Sequence, residues 1–421
     1  MSLFTVFAIV ITLTAIFSFV NEVYIKLPST IGIMLASLIS SIVFIVLGYI
    51  GFGHAEWAVE LVKAADFDHL FMDGMLSFLL FAAATRVDID ELREYKGTIA
   101  YLATVGIVIS SLFIGFSMHW LLGSIGVALP VIYAILFGAI ISPIDAVVVI
   151  RILKQANASK TMETVLTGES LFNDAAAVVL FVLLLGIASG STEMSGLEIG
   201  GFFLKEALGG VMLGLILGYL SHFMIVQIIY KGSDNHIVII LITLALVSGG
   251  YALAQLIGVS GPLTSVITGL FLARTRKGAI GVKHEHTRYV SDFWDVIDEV
   301  LNAVLFVLIG LEVLVLNFQN AYFIGCALVI PIIVVARYIS VEFPLVFLRF
   351  FRSIPSLKGF IMTWSGIRGG VSIALALSLP DFGQRDLILV LTYIVVVFSI
   401  LVQGLTLGRA VKWYENKIGE D

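Results

Sequence analysis

The sequence predicts an all-α polytopic membrane protein of about thirteen transmembrane helices, on three observations. Hydrophobic residues make up 59% of the 421-residue chain and charged residues only 13%, about half the charged share of a soluble domain. The apolar residues gather into runs that match the roughly 20 residues a helix needs to cross about 30 Å of hydrocarbon. Basic residues fall almost entirely in alternate loops. A mean hydropathy of +1.07 excludes an ordinary soluble enzyme. It also excludes intrinsic disorder, which needs low hydrophobicity and high net charge. The single cysteine, Cys326, rules out an internal disulfide and a cysteine-built metal site. A net charge of -6 leaves no basic surface for nucleic acid.

In chain order the runs lie near 2–20, 28–51, 71–87, 97–123, 130–150, 162–188, 200–227, 236–257, 259–274, 293–317, 320–349, 358–380 and 386–411. The first lacks a positive leading segment and is too long for a signal peptide, so it reads as a span. The third and ninth are short. All exceed the roughly 9–11 residues of a barrel strand and lack its alternation. The seventh carries Gly210, Gly214 and Gly218 at every fourth position, a stripe expected to seat a neighbouring helix.

Orientation follows from the basic residues, which favour cytoplasmic loops. Nineteen lie in odd-numbered loops or after the last span; Lys63 and Arg385 alone lie in even-numbered loops. Lys205, Arg337 and Arg368 fall inside spans. This split places the N-terminus outside and the C-terminus in the cytoplasm, with 412–421 as a short tail.

Two spans are interrupted. The fifth contains Ile141-Ser142-Pro143-Ile144-Asp145, and a proline inside a helix removes one backbone bond and opposes another. The twelfth contains Ser365-Gly366-Ile367-Arg368-Gly369-Gly370, a weak helix former. Broken backbone at membrane depth is tolerated only against protein or a wet cavity. The two breaks are seven spans apart, and each carries a charge. They become equivalent if 1–188 and 236–411 form six-helix repeats joined by a linking helix at 200–227. Such repeats must be inverted, because an odd displacement reverses direction. Inverted repeats with crossed broken helices are the pattern of secondary transporters.

The sixth span reads Thr167-Gly168-Glu169-Ser170-Leu171-Phe172-Asn173-Asp174. Glu169 with Asn173, and Ser170 with Asp174, are four apart, so all four share one broad helical face. At 1.5 Å per residue Asp174 lies about 16 Å deep, Arg368 about 15 Å and Asp145 about 9 Å or more. All three can meet near the midplane. Charge there is expensive and marks a site by default. One arginine cannot neutralise three acids, so two must hold a proton, a cation, or each in turn. Carboxylate, hydroxyl and carbonyl oxygens suit hard cations. Burial and neighbouring charge tune carboxylates in opposite directions. A site that accepts either a proton or an alkali ion, and faces each side in turn, gives exchange.

At these residues the chain resembles the NhaP/NHE branch of monovalent cation/proton antiporters. The likeness rests on Gly168-Glu169-Ser170-Leu171-Phe172-Asn173-Asp174 and on Arg368-Gly369-Gly370-Val371-Ser372 through Pro380, with a looser Phe306-Val307-Leu308-Ile309-Gly310-Leu311. It implies an NhaA/NhaP-like antiporter fold, no cofactor, and exchange of Na+, or Li+ or K+, for H+. By that resemblance Asp174 is the central ion- and proton-binding carboxylate and Asp145 the second. Ser170 and the Ile144 carbonyl supply further oxygens, and Asn173 steadies the unwound segment. Glu169 and Arg368 form a structural ion pair. The Asn-Asp pair resembles the electroneutral branch, and a homodimer in the cell membrane is implied. Two departures bear on selectivity: Pro143 precedes the second acid, so a side-chain hydroxyl is lost, and Ala82 stands where relatives often carry an acid.

Other features read as structure. Lys283-His284-Glu285-His286 is expected to be a solvated loop. Asp292, Asp295, Asp298 and Glu299 form a solvated helix start or a funnel for cations. Glu312 and Arg337 are expected in structural pairs. A potassium/proton antiporter and a cation channel using the same acids are the alternatives, although no filter repeat is visible. An intramembrane enzyme would need a nucleophile–base set, which the spans lack.

Overall fold

The computed structural model describes residues 2–50, 55–156, 158–189, 196–231, 235–278, 284–319, 322–351 and 359–418. Among these, every regular element is helical. Helix α1 (Leu3–Val20) continues through a π turn and stops where Lys26 adopts a φ of 58°. Helix α2 (Ser29–Tyr49) follows Pro28, whose fixed φ suits a helix entry. Next come α3 (Ala55–Ala65), the single turn α4 (Phe67–His69) and α5 (Leu76–Arg86). The Asp88 carboxylate accepts from Asp90 N–H and caps α6 (Ile89–Tyr101), which runs through a π turn into α7 (Ile107–Ser124).

Helix α8 (Val131–Ile141) opens after Pro130, and α9 (Ala146–Gln155) is capped by Asp145. Ser159 caps α10 (Lys160–Ala188). Helix α11 (Gly196–Tyr230) is followed by α12 (His236–Ile257), which Asn235 caps and Gly258 ends with a φ of 66°. Helices α13 (Gly261–Gly278), α14 (His284–Glu312) and α15 (Tyr322–Phe351) lead to the pair α16 (Gly359–Trp364) and α17 (Gly370–Leu377). Helix α18 (Arg385–Phe398) passes through a π turn into α19 (Gly404–Ile418).

Each expected span maps to one helix or to a consecutive pair. Among the described residues nine are long and apolar enough to cross a membrane on their own, or ten if the bent α3–α5 segment is one span. The others, α13, α14 and the α16–α17 pair, are short, polar at one end, or broken. The fourth span begins at Ile89 rather than near 97, because a polar capped turn continues the apolar helix without interruption. The eleven-residue α3 between the second and third spans has no counterpart among the apolar runs. The Lys283-His284-Glu285-His286 side chains lie outside the described residues.

The helices pack in two groups. In one, α10 touches α6, α8 and α9, α7 packs on α8 and α15, and α17 and α15 pack on α18. In the other, α13 joins α11, α12 and α5, while α14 packs on α2 and α5. The α11 glycine stripe seats α13: a Cβ on Gly210 would sit 2.6 Å from the Ser260 carbonyl, and one on Gly214 would sit 2.7 Å from Ile267 Cβ. Thr264 and Thr268 hydroxyls donate to the Gly210 and Gly214 carbonyls across this seam. Close backbone approach therefore supplies both dispersion contact and interhelical hydrogen bonds.

Candidate functional site

A cavity of about 630 Å³ lies between the two groups, with α5 and α14 on one side and α9, α10 and α17 on the other. Its deep wall is made of both helix breaks and the polar face of α10. Asp145, Ser170 and Asp174 all line it, together with the Ile144 backbone segment and Gly369. The carboxylates of Asp145 and Asp174 are within electrostatic reach of each other. Both acids therefore line one cavity, as their depths along the two spans allow.

The first break spans Ser142 to Asp145. Asp145 takes an extended conformation, and its carboxylate accepts from Val147 N–H at 2.8 Å, as an N-cap should. Its own N–H donates 2.7 Å to the Ile367 carbonyl in the second break. Ser170 Oγ donates 3.0 Å to the Ile144 carbonyl and accepts from Ala146 N–H at 3.2 Å. So Ser170 and Ile144 first satisfy one another. A hydroxyl and a carbonyl each have two lone pairs, and each of these atoms keeps one for a cation. Gly369 lets the breaks cross, since a Cβ there would lie 2.3 Å from Asp145 Oδ2.

The expected Glu169–Arg368 ion pair does not form. Glu169, 1% exposed, receives two hydrogen bonds from the Arg337 guanidinium of α15, at Nη1 and, at 2.9 Å, at Nη2. Arg368, fully buried, instead donates from Nη1 to the Ser142 and Pro143 carbonyls, the latter at 3.1 Å. The physical reason is backbone supply. The break at Pro143 frees carbonyls that have no helical N–H, and Arg368, in the crossing break, is the donor placed against them. Glu169, one turn away from that crossing, faces α15.

Arg337 thus has the structural pairing expected of it, with Glu169 as partner. Glu312 is 5% exposed, within electrostatic reach of Tyr393. Asn173 is buried, and its side-chain carbonyl has no hydrogen-bond partner, so no bond from that atom steadies the break. Ala82 packs with Phe81 and Trp294 in a separate apolar cluster, and Ala83 lines the cavity in its place.

Charged and more exposed residues line the cavity's mouth. Arg86 at the end of α5 pairs with Asp295 at 2.5 Å and with buried Asp298 at 2.7 Å. Asn302 donates 3.0 Å to the other Asp298 oxygen, and Arg151 pairs with Glu299 across the mouth at 3.1 Å. The acidic start of α14 therefore belongs to the cavity entrance, in partly neutralised form. The sequence reading did not name Glu169 as the partner of Arg337, and it did not give Arg86 a role. The available signal for Arg86 was a basic helix end and an acidic helix start.

Two arginines beside three acids leave a simple count. Arg337 is taken by Glu169 and Arg368 by backbone. Among the described residues no lysine, arginine or histidine lies within ion-pair distance of Asp145 or Asp174. The pair lies in an oxygen-lined part of the cavity, with no basic side chain as partner among the described residues.

Comparison with known proteins gives a consistent result. The chain is 41% identical over 407 residues to a Pseudomonas aeruginosa protein named Na(+)/H(+) antiporter NhaP, covering 96% of this chain and 95% of that one. It is 34% identical to a Halobacillus aidingensis protein named Na(+)/H(+) antiporter NhaH, covering 96% and 95%. The structure of the sodium proton antiporter MjNhaP1 from Methanocaldococcus jannaschii superposes with a TM-score of 0.76 at 21% identity, covering 98% of this chain and 99% of that one, a likeness of fold. The family model described as sodium/hydrogen exchanger, transmembrane, matches residues 6–413, and the chain belongs to that family.

Proposed function

We propose that this protein exchanges sodium or lithium for protons, one for one, by alternating access. The observation that carries this reading is the unpaired Asp145–Asp174 couple at the floor of the cavity. Neighbouring half-buried carboxylates without a basic partner favour binding one proton or one cation over standing empty and doubly charged. A proton and a cation then compete for the same oxygens. Asp174 is the central ion- and proton-binding carboxylate, with Asp145, Ser170 and the Ile144 carbonyl around it. Glu169 and Arg368 support the site through Arg337 and the Ser142–Pro143 carbonyls. The protein resides in the plasma membrane as a homodimer, with its N-terminus outside. In that orientation the charged mouth faces the cytoplasm. The helix group that holds the crossed breaks moves against the other group.

The test is proton flux in proteoliposomes with Na+, Li+ or K+ in turn, with and without a potassium/valinomycin clamp. Saturable Na+- or Li+-driven flux unaffected by the clamp is expected. Flux with K+ alone would make the protein a potassium/proton antiporter, and clamp-driven current without saturation would make it a channel. Competition adds a kinetic signature: lowering the pH raises the apparent KM for sodium and leaves the maximal rate intact. A pH effect on the maximal rate alone would place the proton elsewhere.

A further inference from the structure

Of the hydroxyls lining the cavity that the proposed site leaves unused, Thr164 and Thr167 have hydrogen-bond partners and Ser372 has none. Ser372 lines it with Asp145, Ser170 and Asp174, is fully buried, and its Oγ has no hydrogen-bond partner. Serine and threonine inside helices ordinarily donate to the carbonyl three or four residues back. This protein does so repeatedly, as at Thr14, Thr268 and Ser378. Ser372 is the third residue of α17, so the positions three and four back are Gly369 and Arg368, in the unwound break. There is no preceding helical turn to receive its proton. The hydroxyl is orphaned because the helix is broken just before it.

The same break sets Gly369, three residues before Ser372, against one of the acids. Gly369 is the N-cap position of α17 and packs directly against the Asp145 carboxylate. Residues three apart share a helical face. Ser170, by contrast, has its proton committed to Ile144 and one lone pair to Ala146 N–H. Ser372 keeps both lone pairs free, and a buried polar group without a partner is a rarity that calls for one.

We propose that Ser372 Oγ is a further oxygen ligand of the transported alkali cation, contributed by α17. This assignment rests on the antiport reading. It makes the crossed breaks a two-sided clamp, with Ile144 and Asp145 from one and Ser372 from the helix that follows the other. A hard hydroxyl oxygen is the ligand type an alkali ion prefers.

The test is sodium-dependent proton flux in proteoliposomes, together with sodium-dependent thermal stabilisation of the purified protein in detergent, for wild type and Ser372→Ala. The matched control is Ser110→Ala, which removes another buried, unpartnered hydroxyl that does not line the cavity. Losing one neutral ligand should raise the apparent sodium KM and the sodium concentration for half-stabilisation by roughly three- to tenfold, with Ser110→Ala unchanged. Should Ser372→Ala fail to assemble, Ser372→Cys keeps the volume and replaces a hard oxygen with a soft sulfur, and the same shift is expected. Unchanged KM and half-stabilisation in the variant that assembles would overturn the assignment, as would an equal shift in Ser110→Ala. Absence of cation-coupled flux and of sodium stabilisation in the wild type would instead overturn the antiport reading itself.

Discussion

The two broken spans cross at the same place and use their charges in opposite ways. The break between α8 and α9 carries an acid, Asp145, which caps its own helix and faces the cavity. The break between α16 and α17 carries a base, Arg368, which is fully buried and bonded to the Ser142 and Pro143 carbonyls. A carboxylate lining a cavity can change partners, whereas a guanidinium that replaces missing helical N–H groups cannot leave without orphaning the carbonyls it serves. Sequence symmetry between the breaks therefore conceals a division of labour. One break presents charge to cargo, and the other supplies donors to backbone.

That contrast is open to direct attack. The largest expected effect is on transport: Asp174→Asn should reduce proteoliposome exchange to background while the protein still purifies as wild type. Retained exchange would remove Asp174 from the ion path. Arg368→Ala should act through stability instead, lowering it by about 2–5 kcal/mol because buried carbonyls lose their donor. A normal melting temperature with lost transport would mean that Arg368 belongs with the acids after all. Glu169→Gln should cost about 3–5 kcal/mol, since it leaves the Arg337 guanidinium buried without a countercharge. Glu169→Gln combined with Arg337→Met should recover part of that loss in thermal unfolding, whereas Glu169→Gln with Arg368→Met should not. The smallest effect is expected for Pro143→Ala, less than about 1 kcal/mol, because Arg368 and Ser170 hold the break without the proline ring. A repaired helix that inactivates exchange would show that Pro143 itself keeps it open.

How far the site was legible depended on the interaction involved. Asp145, Ser170 and Asp174 could be brought together from spacing and depth alone, since helical rise fixes depth and periodicity fixes the face. The partner of Glu169 could not. Arg337 and Arg368 both sit in apolar spans, and choosing between them requires the rotation of α10 relative to helices distant in sequence. The competing demand of the freed carbonyls at Ser142 and Pro143 was visible as a proline break, yet its donor was not. The acidic start of α14 was equally ambiguous until α5 placed Arg86 against it.

By itself, then, the chain determined its membrane character, the positions of the two interruptions and the acids at membrane depth. Those follow from local composition, because the bilayer penalises every unsatisfied polar group and every charge it cannot hide. Tertiary structure alone decided which arginine neutralises which group and which hydroxyl in the cavity remains unpartnered. Both depend on the rotation and crossing of helices hundreds of residues apart, and no local pattern encodes the angle at which they meet.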